Sequence, residues 1–247
     1  MGELIAVLSG KGGTGKTSLC AGIATALAQS GEKVLCIDCD VGLRNLDISL
    51  ALCDSGALSF VDVYKGGYNL SQAAAHSIFP TLFFLTAPVN LQAEDVDEKA
   101  FAAMLRQARK EFDYIFLDAP AGLDAGFHLC ATHADRIILV TNAEPSAIRD
   151  AARTGQKLEM MKKNQVRIIV NRVRKKLLEV TKRTVDDVMD EAGLPLLGVV
   201  PEDENVTLAA AFETPLLKYT KKGAATACKR IAKRIQGRSE PIDLRKF

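Results

Sequence analysis

The chain has no apolar run of about 18 residues, so no segment has the length to cross a bilayer as a helix. Its N-terminus lacks the basic-then-apolar pattern of a secretion signal, because the first apolar run, Leu4-Ile5-Ala6-Val7-Leu8, reads as a strand. No Pro- or Ser-rich linker and no low-complexity tract divides it, and 48% hydrophobic content over 247 residues suits one substantial core. Six cysteines, at 20, 36, 39, 53, 130 and 228, show no disulfide-framework spacing and lie mostly in apolar segments, as buried thiols do. Cys36 and Cys39 form a C-x-x-C, but Val34-Leu35-Cys36-Ile37-Asp38 reads as a strand. Residues three apart on a strand face opposite ways, which argues against a shared metal. These absences point to a cytoplasmic protein with one domain over residues 1–237 and a short basic tail over 238–247.

What is present begins at once. After the first apolar run stands Gly10-Lys11-Gly12-Gly13-Thr14-Gly15-Lys16-Thr17, a G-x-x-x-x-G-K-[ST] match followed by Ser18. The motif needs a strand before it and a helix after it. Residues 17–29, with Leu19, Ile23, Ala26 and Leu27 on one face, supply the helix. Glycines let successive backbone N–H groups curve around phosphate oxygens at the positive end of a helix dipole. Lys16 then reaches the β- and γ-phosphates, and the Thr17 hydroxyl is placed to ligate Mg²⁺.

Apolar, β-rich runs recur at residues 4–9, 33–39, 81–86, 113–118, 136–141, 167–172 and 196–200, with helical patterns between them. This alternation predicts an α/β fold, a mostly parallel, doubly wound sheet covered on both faces. Ligands of such sheets gather at the carboxyl ends of the strands. There stand the phosphate loop, Asp38 with Asp40, Asp118, and Asn171-Arg172. Asp118 is the expected second carboxylate for the Mg²⁺ shell. Asp38 and Asp40 would project the same way if the strand continued through both, one supporting the metal's water shell and the other orienting the attacking water; otherwise they are turn or cap residues. Lys11, a cation at the rim of the pocket, could act across a subunit interface as an arginine finger does, which would confine catalysis to a dimer. Of the helices, 97–111 is amphipathic, another starts at an N-capping Ser146, and the last, from Gly223, places Ala224, Cys228, Ile231 and Ile235 on one stripe.

The loop with Lys11 resembles the deviant Walker A motif of the MinD/ParA family of P-loop ATPases. Asp38-Cys39-Asp40-Val41-Gly42-Leu43-Arg44-Asn45-Leu46-Asp47 is similar to the switch segment of the MinD branch. The likeness extends to Asp118-Ala119-Pro120-Ala121-Gly122, to residues 141–150 and to Gly198-Val199-Val200-Pro201-Glu202-Asp203. It implies a P-loop NTPase fold of the SIMIBI type, ATP and Mg²⁺ as cofactors, and an ATP-sandwiched homodimer in which Lys11 acts across the interface. Asp40 would position the lytic water, Asp38 and Asp118 support the metal, and Asn171 with Arg172 hold the adenine. A MinC-like division inhibitor and a MinE- or MinJ-like regulator are the implied partners, with residues 146–150 a candidate contact surface. ATP over GTP also follows from the resemblance, the Asn-Lys-x-Asp guanine reader of small GTPases being absent.

The net charge of +2 conceals a basic C-terminus, with ten Lys and Arg from Lys218 onward against Glu240 and Asp243. It is either drawn to an anionic surface or the solvated face of a terminal helix. The family usually ends in an amphipathic membrane-targeting helix. Here Pro241 and the few apolar residues Ile242, Leu244 and Phe247 oppose one, so peripheral membrane attachment is expected to be weak. A different class of function, a partition ATPase coating DNA, would draw on Arg167, Arg172, Arg174, Lys175, Lys176, Lys182 and Arg183. The resemblance also leaves a regulator of flagellar number or a metal-cluster carrier as a third reading, the carrier needing a cysteine pair at a dimer face, where the one close pair, Cys36 and Cys39, reads as part of a strand.

Overall fold

The computed structural model describes residues 1–41, 43–53, 55–89 and 91–242. Among the described residues eight strands form one sheet: β1 (Glu3–Leu8), β2 (Val34–Asp38), β3 (Ala74–Ala75), β4 (Leu82–Leu85), β5 (Tyr114–Asp118), β6 (Arg136–Thr141), β7 (Val166–Val173) and β8 (Leu196–Pro201). Their order is β3-β4-β2-β5-β1-β6-β7-β8. Every pairing is parallel except that of the two-residue β3 with β4. All seven expected runs are strands. The short edge strand β3 carries no apolar run and was not foreseen.

Period-two alternation sorts side chains between two layers. From β1, Leu4, Ala6 and Leu8 enter one apolar cluster and Ile5 and Val7 the other. The first layer is covered by the helices Glu98–Glu111, through Phe101, Met104 and Leu105, and Ala125–His133, through Phe127 and Leu129. The second is covered by Lys16–Gln29 and Ala224–Ile235, whose buried stripe contains Ala224, Cys228, Ile231 and Ile235. Burying a Phe or Leu of this kind stabilises the fold by roughly 1.5–3 kcal/mol before entropy is counted. Cys36 and Cys39 fall in opposite layers, although β2 ends one residue before Cys39. Among the described residues no group of His, Cys, Asp and Glu could hold a metal on its own.

Three local expectations are corrected. Ser146 is not an N-cap: the helix is Pro145–Met160, Glu144 occupies the cap, and Pro145 takes the first turn, where its missing N–H costs nothing. Five cysteines are buried, but Cys53 is exposed. β2 ends at Asp38 and the chain turns, so Asp38 and Asp40 are not paired by strand geometry.

At the C-terminus, Glu240 lies within ion-pair range of Arg230 (3.7 Å) and Lys233 (3.1 Å). Arg234 donates to the carbonyls of Leu197, Glu240 and Pro241. Residues 238–242 are thus folded back on the last helix; residues 243–247 of the expected tail, and Gly42 of the switch segment, lie outside the described residues.

Candidate nucleotide-binding site

Strand β1 lies inside the sheet between β5 and β6, with the chain passing from β1 toward β2 on one side and from β6 toward β7 and β8 on the other, and such a reversal of strand order opens a crevice at the carboxyl strand ends. The loop Ser9–Gly15 occupies it and feeds the helix Lys16–Gln29. Two glycines are required by space. A Cβ at Gly10 would lie 2.7 Å from the Asp150 carbonyl oxygen, and Gly15 combines φ +86° with direct contact to the Asn171 amide.

The chain's own charges meet at this opening. Lys16 Nζ lies 2.7 Å from Asp118 Oδ1 and 3.3 Å from Thr17 Oγ1, with Lys16 and Asp118 both buried. Burial alone would pull the Lys16 pKa down, but the charge and hydrogen bond of Asp118 outweigh it and hold the ammonium protonated. Among the described residues, the second Asp118 oxygen, Oδ2, finds no hydrogen-bond partner although it is buried, and the same is true of Thr14 Oγ1. Buried oxygens left unpaired are costly, and an orphaned oxygen on a carboxylate that also faces the Thr17 hydroxyl suits a hydrated Mg²⁺, which keeps several waters and takes few carboxylates.

Asp38 accepts from the backbone N–H of Asp40 (2.9 Å) and of Leu46 (3.2 Å), pinning both ends of the turn after β2. Burial, reinforced by the charge of Asp118, pushes its pKa up to about 7, against the pull of those two N–H groups. Asp40 is half-buried. Burial raises its pKa too, Lys16 opposes this, and Asp118 adds to it. The two carboxylates therefore share the site through the turn that the strand end forces.

Lys11 stands at the rim. Its Nζ is 3.0 Å from Ser146 Oγ and 3.4 Å from Glu144 Oε2, and its side chain is 41% exposed. Glu144 and Ser146 were not foreseen as partners, since 133 and 135 residues separate them from Lys11. Beyond the loop, a cavity of about 190 Å³ is lined by Ser18, Asn171, Arg172, Pro201, Asp203 and Val206, among others. Arg172 also pairs with Glu202 at 3.0 Å, a partner 30 residues further along the chain that no local pattern marks. In the basic stretch, Arg174 lies 3.7 Å from Glu202 and Arg183 3.3 Å from Glu191, so part of that charge is matched within the chain.

The opening thus combines a Gly-rich loop carrying two lysines, strand-end carboxylates and an adjoining cavity, and residues 5–216 match the CobQ/CobB/MinD/ParA nucleotide binding domain. The chain belongs to the MinD/ParA family. The septum site-determining protein MinD of Synechocystis is 34% identical over 98% of this chain and 92% of its own length. Among solved structures, MinD in the MinC:MinD cell division protein complex of Aquifex aeolicus superposes with a TM-score of 0.90, 33% identity and 98% coverage of both chains. MinD of Pyrococcus horikoshii complexed with Mg-ADP gives a TM-score of 0.82 at 28% identity, covering 95% of this chain and 96% of that one. Nucleotide and magnesium binding thus accord with the family to which the sequence belongs.

Proposed function

We propose that this MinD-family chain is a Mg²⁺-dependent ATPase switch that dimerises on ATP and acts in placing the division site. The observation that carries this reading is the convergence of Lys16, Asp38, Asp40 and Asp118 on the crevice where the Gly10–Thr17 loop opens. Lys16 trades its contact with Asp118 for the β- and γ-phosphates. Thr17 would hold Mg²⁺, with Asp38 and Asp118 supporting it through water. When bound, the metal neutralises charge on the phosphate oxygens. Asp40, partly exposed and facing Lys16, orients the attacking water.

Lys11 completes the site in a second copy. Its contacts with Glu144 and Ser146 are exposed and weak, so the ammonium can leave them for the terminal phosphate held by the partner subunit. Size-exclusion chromatography of Asp40→Ala with Mg-ATP or Mg-ADP tests this: doubling of mass with ATP alone is expected, and a constant mass rejects the switch.

Partners follow the relatives. The Aquifex protein is found with MinC, and a MinC-like inhibitor here would meet the start of the helix Pro145–Met160, with a MinE- or MinJ-like protein as regulator. Among the described residues no helix is long and apolar enough to cross a membrane. Peripheral attachment is tested by co-sedimentation with anionic vesicles, with ATP or ADP; plasmid DNA in the parallel arm tests the partition-type alternative.

A further inference from the structure

The resemblance assigns Asn171 and Arg172 to the base, but the structure ties both to the phosphate loop. Asn171 Nδ2 donates to the Thr14 carbonyl at 2.8 Å, and Arg172 Nη1 donates to the Gly13 carbonyl at 3.2 Å. In an unbroken strand, consecutive residues face opposite sides of the sheet and could not reach one loop. Here the pairing of β7 with β8 is broken between Val170 and Val173, and Arg172 adopts φ +56°. Bulges re-aim side chains in this way next to functional sites.

The consequence for the loop follows from peptide planarity. In a trans peptide the C=O and the next N–H point in opposite directions. Holding the Gly13 and Thr14 carbonyls toward β7 therefore turns the N–H groups of Thr14 and Gly15 the other way, toward the anion cradle. Glu202 steadies the device: its carboxylate accepts from Arg172 Nε at 3.0 Å, while its own N–H donates to the Val173 carbonyl at 3.0 Å. Gly15 fits it as well, since a Cβ there would collide with the Asn171 amide.

We propose that Asn171 and Arg172, braced by Glu202, are positioning residues that hold the phosphate loop in its anion-binding shape, so that they govern triphosphate affinity whatever the base. This rests on the reading of the loop as a triphosphate site.

The test compares Mg-ATP with the base-free Mg-tripolyphosphate by titration calorimetry on the full chain and on Asn171→Ala, Arg172→Ala and Glu202→Gln. Amide hydrogen exchange of residues 12–17 is followed in parallel without any ligand. Asn171→Ala is expected to weaken both ligands by the same factor, about tenfold. Arg172→Ala, at a more exposed site, should weaken both equally by less, and Glu202→Gln by less again, with loop exchange accelerated in the same order. Loss of ATP binding with tripolyphosphate affinity and loop exchange unchanged would overturn the proposal and return both residues to base recognition. A wild-type chain that binds neither ligand would instead refute the nucleotide-site reading, and the exchange data would still decide this one. Should Asn171→Ala fail to fold, the surface variants Arg172→Ala and Glu202→Gln carry the same comparison.

Discussion

Lys16 and Asp118, 102 residues apart in the chain, meet at 2.7 Å with both side chains buried. Without nucleotide, the carboxylate balances a charge that triphosphate would otherwise meet. Removing one partner strands the other. Asp118→Ala is therefore expected to destabilise the nucleotide-free protein by about 3–5 kcal/mol, the usual cost of an uncompensated buried charge. Urea denaturation checks this, and a double variant Lys16→Met/Asp118→Leu should recover most of the loss.

Lys11 makes the opposite case. Its ion pair with Glu144 is exposed on both sides, so Lys11→Ala should alter stability by no more than about 0.5 kcal/mol. Hydrolysis should nevertheless fall by about a thousandfold, as when a trans-acting cation is removed. Phosphate release per chain, measured across protein concentrations, should rise with concentration in the wild type and stay flat in the variant.

Asp38 titrates near neutrality in the nucleotide-free protein, at about 7. Its folded pKa lies above its unfolded value, so its contribution lowers the stability of the nucleotide-free protein as pH rises toward and through 7. Metal support needs the ionised form. Mg-nucleotide binding should therefore release protons near pH 7 and weaken below it. Calorimetry in two buffers of different ionisation enthalpy measures the release, which Asp38→Asn should reduce.

His76 joins the helix Leu46–Leu50, which follows the switch turn, to the sheet edge. Its Nε2 lies 2.9 Å from the Leu50 carbonyl, and its Nδ1 accepts from the Ile78 N–H at 3.0 Å, which fixes a neutral ring. Burial lowers its pKa, opposed by the Leu50 contact. A depressed histidine pKa contributes stability that is present above the unfolded value near 6.5 and lost as pH falls through the folded one. The urea midpoint should drop between pH 7.5 and 5 by more in the wild type than in His76→Ala, which is less stable at the higher pH.

Much of this was legible along the chain. Each apolar run became a strand because its own alternation supplies two buried faces, and the loop at Gly10–Thr17 sits where a strand must hand over to a helix. The Ser146 cap failed for a local reason: Pro145 competes for the helix start and its fixed φ prevails. The bulge at Asn171-Arg172 had no such signal, since it is set by how β7 accommodates β8 and neither residue is a glycine.

Periodicity and loop chemistry alone were enough for the strand set, the helix after the phosphate loop and the class of ligand, because each depends on neighbours within a few residues. Which groups answer the site's charges was settled by folding: Asp118 for Lys16, Ser146 and Glu144 for Lys11, and Glu202 for Arg172. Those partners lie 30 to 135 residues away. Only strand order and helix packing bring them within hydrogen-bond reach, and no local pattern encodes such a distance.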